Sequence, residues 1–396
     1  MADRSTFVIV GAGFAGAKAA ETLREEGFDG RIVLLGNEPV RPYERPPLSK
    51  DFLQGKATFD DAAVHEEGFY AQHDVELLTG TSAAGLDTAA HRLTLDSGET
   101  LEYDRLLLAT GAVPRRPPIP GADLDGVQVL RSFADAQALR ERLEAGGRLA
   151  VIGAGWIGCE VAASARTVGA EVTLVEQAAT PLEGVLGAEL GGFFADLHRR
   201  NGVNLLTGAG VERIEGDGAV RGIRLADGTE AACDTVVIGV GVAPDTRLAE
   251  AGGLEIDNGV ATDAQLRTSA PDVFAAGDVA NAQHPRYGRR VRVEHWANAL
   301  EQGSAAGRAM LDKLDAYTLL PFFFSDQYDV GMEYFGLHGR DDRLVVHGEL
   351  GAESFRASWQ AADGQVTAAM HVNDWDASEE LKALVERGAP AVDAAR

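Results

Sequence analysis

Two short apolar runs organise the chain. Thr6-Phe7-Val8-Ile9-Val10 leads into Gly11-Ala12-Gly13-Phe14-Ala15-Gly16, and Leu149-Ala150-Val151-Ile152 leads into Gly153-Ala154-Gly155-Trp156-Ile157-Gly158. Each run reads as a strand ahead of a glycine turn. An Ala-rich stretch that reads as a helix follows each turn, and then a second apolar strand, Arg31 to Leu35 or Glu171 to Val175. Strand, glycine turn, helix and strand in that order form the unit that binds a dinucleotide. Gly11 and Gly153 permit the tight turn. Gly13 and Gly155 let a pyrophosphate approach the helix N-terminus, and Gly16 and Gly158 let helix and strand pack closely. One such fingerprint is weak evidence; two in the same context are strong.

An acid at the end of the second strand accepts hydrogen bonds from a ribose. Glu176 follows Val172-Thr173-Leu174-Val175 in the second repeat, whereas the first repeat offers Asn37 as the matching residue, with Glu38 next. The second repeat reads as an insertion. Before it come Arg105-Leu106-Leu107-Leu108-Ala109-Thr110-Gly111 and a proline-rich linker (Pro114, Pro117, Pro118, Pro120). After it come Thr235 to Gly241 and Asp272-Val273-Phe274-Ala275-Ala276-Gly277-Asp278, the last read as strand, turn and helix start. The expected organisation is a discontinuous dinucleotide-binding domain, 1–112 plus 240–318, with a second one at 113–239. From 319 to 396 short β-rich runs (Arg343 to His347, Phe355 to Trp359, Val366 to Met370) and one helix, Ser378 to Arg387 with an N-cap serine, suggest a small α+β domain. The fold class is α/β: two Rossmann-like domains, one inserted in the other, plus that C-terminal domain.

Composition narrows the function. At 45% hydrophobic and 24% charged residues the chain reads as soluble and globular. It has no apolar run near the ~20 residues of a membrane helix. The first strand starts too early for a signal peptide, so a cytoplasmic location is expected. A net charge of −25 argues against nucleic-acid and anionic-membrane partners. The two cysteines, Cys159 and Cys233, lie far apart and form no CxxC, which leaves them as buried packing residues. The histidines show no ligand spacing, and no metal is expected.

The two fingerprints, Arg45-Pro46-Pro47-Leu48-Ser49-Lys50, Ala109-Thr110-Gly111, Val242-Ala243-Pro244 and Ala276-Gly277-Asp278 together resemble the FAD-dependent, NAD(P)H-dependent ferredoxin reductases that serve oxygenases. Putidaredoxin and rubredoxin reductases are of this kind; apoptosis-inducing factor and monodehydroascorbate reductase are relatives. Ser325-Asp326-Gln327-Tyr328-Asp329 points to the reductase branch, where Trp often stands in place of Phe324. The resemblance implies that 1–112 plus 240–318 binds FAD and 113–239 binds NADH. It sets Lys50 near flavin N5, paired with Glu160 across the two domains. Asp278 would bond the ribityl chain at a helix start. Arg45, Pro46, Trp296 and Phe324 would lie near the flavin, and Thr110, Gly111, Gly241 and Gly277 would bring backbone close to the cofactors. A nearby ammonium stabilises the negative charge of reduced flavin, and a partner carboxylate keeps that lysine charged when buried. The implied acceptor is a [2Fe–2S] ferredoxin feeding a P450 or ring-hydroxylating oxygenase, the chain itself being a monomer or weak dimer. Arg286, Arg289, Arg290 and Arg292, interleaved with Tyr287, could dock it near Arg289 and Arg290. The residues leave two alternatives open: reduction of a small acceptor such as a quinone or radical, or an NADH-responsive interaction protein.

Overall fold

The computed structural model describes residues 5–352 and 354–388. They form two compact units. One comprises 5–44, 59–113 and 243–321; the other comprises 45–58, 114–242, 322–352 and 354–388. The prolines and glycines at 112–120 and 239–244 mark where the chain leaves the first unit and returns.

The first unit is built on a five-stranded parallel sheet in the order Val273–Ala275, Arg105–Leu108, Thr6–Val10, Arg31–Leu35, Val75–Leu78. Its apolar runs are buried on both faces: Val8, Ile9, Ile32, Val33 and Leu34 are all fully inaccessible. The helix Phe14–Glu25 packs on one face against the helix Trp296–Ala309, where Gly303 and Gly307 leave room for Ala15 and Ala19. The second unit repeats the plan. Its parallel sheet runs Asn204–Leu206, Glu171–Val175, Arg148–Ile152, Thr235–Ile238, Val127–Gln128. In both sheets the glycine-turn strand is central, with neighbours reached in opposite directions. That makes its C-terminal end the switch point where open α/β sheets take ligands.

The C-terminal segment adds a five-stranded antiparallel sheet to the second unit, in the order Phe322–Gln327, Val330–Gly336, Val366–Val372, Phe355–Gln360, Arg343–His347. Met332, Tyr334, Phe355 and Trp359 from this sheet share one apolar core with Val161, Phe193 and Phe194. The expected helix is present as Ser378–Arg387, but Ser378 does not cap it. A 3-10 turn, Trp375–Ala377, runs straight into the helix, so no extended residue precedes it, and the Ser378 hydroxyl bonds Glu333 instead. Asp278 likewise opens no α-helix. It sits in a three-residue 3-10 turn, Gly277–Val279, from which Ala280–His284 continues as a strand. Among the described residues no helix is long and apolar enough to cross a membrane.

Candidate active site

The glycine turns divide their labour as steric demand requires. A Cβ on Gly11 would lie 2.1 Å from the Ala109 carbonyl oxygen, and one on Gly16 would lie 2.0 Å from that of Gly11. In the second unit Gly153 and Gly158 are held the same way, by Gly239 and Gly153 at 2.6 and 1.9 Å. Gly13 and Gly155 meet nothing within 4 Å. The protein itself therefore excludes side chains at the first and third glycines, whereas the second faces open space at a helix N-terminus. Open space at a helix N-terminus, with backbone N–H groups facing it, is where a pyrophosphate can approach. Ile157 (45% exposed) and Val240 (37% exposed) flank the second turn and leave an apolar surface beside the helix start. Trp156 is half-buried against Phe194 and Phe323, its indole N–H without a partner.

Glu176 ends the second strand as expected. Its two carboxylate oxygens accept from the Ala154 and Ala178 amides at 2.7 and 2.9 Å, which ties it to the glycine turn. The first unit departs from this plan. Gly11 bonds the Leu35 carbonyl as Gly153 bonds that of Val175, so the register matches Glu176 to Gly36 and not to Asn37. A Cβ at position 36 would come within 2.6 Å of the Ala12 methyl, leaving no room for an acid there. Asn37 is exposed one residue further on, and Glu38 accepts from the Tyr43 hydroxyl at 2.7 Å.

Lys50 and Glu160 meet, and both lie in the second unit, because the 45–58 segment belongs to it. The Lys50 ammonium is 3.0 Å from Glu160 Oε2, and Glu160 is only 4% exposed. Two hydroxyls complete the carboxylate's shell: Ser49 donates to Oε2 at 2.6 Å and Ser325 to Oε1 at 2.8 Å. A buried carboxylate needs such donors to remain charged. The loop is fixed by its sequence. Pro46 and Pro47 open a 3-10 turn, Pro46–Ser49, and Arg45 bonds the Arg131 carbonyl. Ser164 on the glycine helix donates to the Ser49 carbonyl at 2.6 Å, while Gln54 bonds Ser164 at 3.0 Å. Lys50 lies 5.4 Å from the Phe324 ring centroid, within cation–π range. Partial burial pushes the nearby Asp326 carboxyl up, against the pull of Lys50.

In the first unit Trp296 begins its helix, stacks on Phe14 at 5.4 Å and donates to Glu44 at 2.8 Å. Gly277, with φ of 77°, donates to Gln302 at 3.0 Å and turns Asp278 beside the first glycine helix, where Ala15 is the neighbour of Gly277. Thr110 bonds the Asp245 carbonyl at 2.7 Å, and the Gly111 carbonyl accepts from the Asp245 amide at 2.9 Å. Gly241, in the second unit, accepts from the Arg115 amide at 2.9 Å. The basic stretch forms a hairpin, Ala280–His284 with Arg289–Val291. Arg290 is ion-paired with Glu255 and Asp257, and Arg292 with Glu294, while Arg286 and Arg289 are exposed.

Ser49, Ser325, Gln54, Ser164 and Glu44 were not assigned roles from sequence. Along Phe322–Gln327 every second residue is buried, so the strand turns a serine and a glutamine inward, where they need polar partners; the run Phe322-Phe323-Phe324 shows no such alternation in the sequence. Both cysteines are free and buried, and burial pushes both thiols up, that of Cys233 to about 12. Among the described residues no group of three or more His, Cys, Asp or Glu is placed to hold a metal ion.

Residues 5–303 match the pyridine nucleotide-disulphide oxidoreductase family, and 322–396 match the reductase C-terminal domain. The ferredoxin reductase subunit of 5,5'-dehydrodivanillate O-demethylase from a Sphingobium species is 40% identical, over 96% of this chain and 93% of its own. Putidaredoxin reductase from Pseudomonas putida is 38% identical, over 90% of this chain and 86% of its own. Among solved structures, the covalent putidaredoxin reductase–putidaredoxin complex superposes with a TM-score of 0.93 at 36% identity, covering 97% of this chain and 93% of that one. Two glycine cradles, a buried lysine–carboxylate pair and these matches agree: the chain belongs to the pyridine nucleotide-disulphide oxidoreductase family, in the form that carries the reductase C-terminal domain.

Proposed function

We propose that the chain oxidises NADH with a bound FAD and delivers single electrons to a [2Fe–2S] ferredoxin serving a P450 or ring-hydroxylating oxygenase. FAD, when bound, accepts the hydride and releases electrons one at a time, as an iron–sulfur acceptor requires. One observation supports this reading most strongly. The helix Trp156–Thr167 carries a dinucleotide cradle at its N-terminus and, one turn in, the carboxylate that holds Lys50. At 1.5 Å rise per residue, Glu160 lies about 7.5 Å along the helix from Gly155.

In this reading Gly11 to Gly16 hold the FAD pyrophosphate, and Glu38 and Asn37 approach its ribose. Asp278 bonds the ribityl chain, while Thr110 and Gly111 contact the adenine half. Phe14, Gly277 and Trp296 are the flavin-binding candidates of the first unit, and Arg45, Pro46, Gly241 and Phe324 are the cofactor-binding candidates that the second unit carries. Gly153 to Gly158 hold the nicotinamide dinucleotide and Glu176 its ribose. Lys50 keeps a positive charge for the reduced flavin. The FAD-binding part is the first unit, and the cytoplasm is the proposed location.

The test is NADH-driven reduction of cytochrome c with and without a purified [2Fe–2S] ferredoxin. Turnover is expected to depend on added ferredoxin. Equal rates without it, with rapid quinone reduction, would select a small acceptor instead. Relatives whose names include a ferredoxin reductase component, from Burkholderia cepacia among others, support the first outcome.

Docking should involve Arg286 and Arg289, which are exposed, more than Arg290, which is half-buried and ion-paired with Glu255 and Asp257. Reversing both to Glu is expected to raise the ferredoxin KM by about several-fold at low salt, with the effect fading as salt screens the interface. NADH-to-ferricyanide turnover should not change. A wild-type rate that rises with salt, and a double variant that behaves the same, would place docking elsewhere.

A further inference from the structure

Behind Glu160 the second unit holds a line of buried polar side chains that the steps above do not use. Gln327 Nε2 lies 3.3 Å from Ser325 Oγ, and Gln327 Oε1 lies 3.1 Å from Nε2 of His198, on the helix Ala188–Arg200. The other ring nitrogen of His198 is 3.3 Å from the Tyr328 hydroxyl. His198, Gln327 and Ser325 are 0, 1 and 1% exposed. Leucine would fill the His198 position with no partner to find, so the polar line needs a reason.

Its chemistry permits one direction. An ionised carboxylate only accepts, so Ser325 must give its single proton to Glu160. Ser325 can then only accept from Gln327, which must turn its NH₂ toward it and its carbonyl toward His198. His198 must carry its proton on Nε2, leaving Nδ1 to accept from Tyr328. Every donor in the line points at Glu160. Burial pushes His198 down to about 4, so the ring is neutral at pH 7, as this arrangement demands. If Glu160 were protonated, the order in the line would no longer be imposed.

We propose that Gln327 and His198 are positioning residues that aim the Ser325 hydroxyl at Glu160, holding Glu160 as the anion that keeps Lys50 charged and in place. This rests on the role given above to Lys50 and Glu160. The other groups facing Glu160 are Lys50 and Ser49 from the 46–50 loop, Asp326 from the C-terminal strand and Cys159 from its own helix. His198 faces Gln327 and Tyr328, with Arg166 in the field of Tyr328.

The test uses the holoenzyme and two readouts. Long-range ¹H–¹⁵N NMR on histidine-labelled protein, with the His198 signals identified by their loss in His198→Phe, should show a neutral ring protonated on Nε2 from pH 7 to 5. A ring protonated on Nδ1, or an imidazolium, at pH 7 overturns the proposal. Stopped-flow flavin reduction against pH supplies the second readout. The line donates to the Glu160 carboxylate, so weakening it should move the pH profile of flavin reduction toward higher pH. Gln327→Met should move the acid limb up by about half to one pH unit, and Ser325→Ala by about one unit. A limb that stays in place in both variants also overturns it. If those variants fail to fold, the wild-type ring state still decides. Slow Lys50→Ala with an unmoved limb sinks only the positioning role of Gln327 and His198; wild-type rates in Lys50→Ala and Glu160→Gln sink the role of the pair.

Discussion

Replacing Lys50 by alanine is expected to slow reduction of the bound flavin by NADH about 10- to 100-fold while FAD stays bound. The Lys50 side chain is 14% exposed, and its ammonium makes a charge-assisted hydrogen bond to Glu160. Such bonds carry roughly 1.5–3 kcal/mol, which corresponds to that range of rate. The glycine cradle of the first unit does not involve Lys50, so FAD content should not change. Glu160→Gln should also be slow, since the lysine loses the charge that holds it. The double variant should cost less than the sum of the singles, because the two residues act as one unit. Glu160 keeps its two hydroxyl donors in Lys50→Ala, so the fold should survive with a lowered Tm. Stopped-flow rates equal to wild type in both singles would remove the pair from the mechanism.

Reversal of nucleotide preference at Glu176 is the second large effect. Wild type should show the higher kcat/KM with NADH, because a carboxylate accepts from a ribose 2′-OH and repels a 2′-phosphate. A hydrogen bond to a charged acceptor is worth roughly 1.5–3 kcal/mol, about 10- to 100-fold in kcat/KM. Glu176 also receives the Ala154 and Ala178 amides, so any substitution loosens the turn and should raise KM for both nucleotides. The diagnostic quantity is therefore the ratio. Glu176→Ala should narrow it and Glu176→Arg should invert it. A wild type that prefers NADPH would refute the assignment.

Much of this was legible beforehand because local chemistry carried it. The glycine turns announce themselves, since no other residue fits where a Cβ would meet a carbonyl oxygen at about 2 Å. The apolar runs named the sheet strands, and Pro46-Pro47 marked a fixed loop before Lys50. What escaped was non-local. Asn37 is the first polar residue after its strand, whereas the ladder register makes Gly36 the equivalent of Glu176. Ser378 looked like a helix cap until the preceding 3-10 turn removed the extended residue a cap requires. Ser49 and Ser325 stand 111 and 165 residues from Glu160 along the chain, and nothing in their own neighbourhoods names that partner.

That last separation has a consequence for a chain being made. Glu160 leaves the ribosome long after Ser49 and Lys50, but 165 residues before Ser325. At about 5–20 residues per second, roughly 10–30 s pass before its third donor exists. The strand that brings Ser325 also brings Phe323, part of the apolar core around the same helix. Through that interval the nascent second unit has a carboxylate that cannot yet be buried at full satisfaction, and a core still open to water. Its final closure is therefore set by translation of the C-terminal sheet and not by the speed of its own Rossmann sheet. A stop codon or ribosomal stall before residue 325 would leave a folded-looking sheet unable to lock its ion pair, a natural substrate for chaperones and proteases.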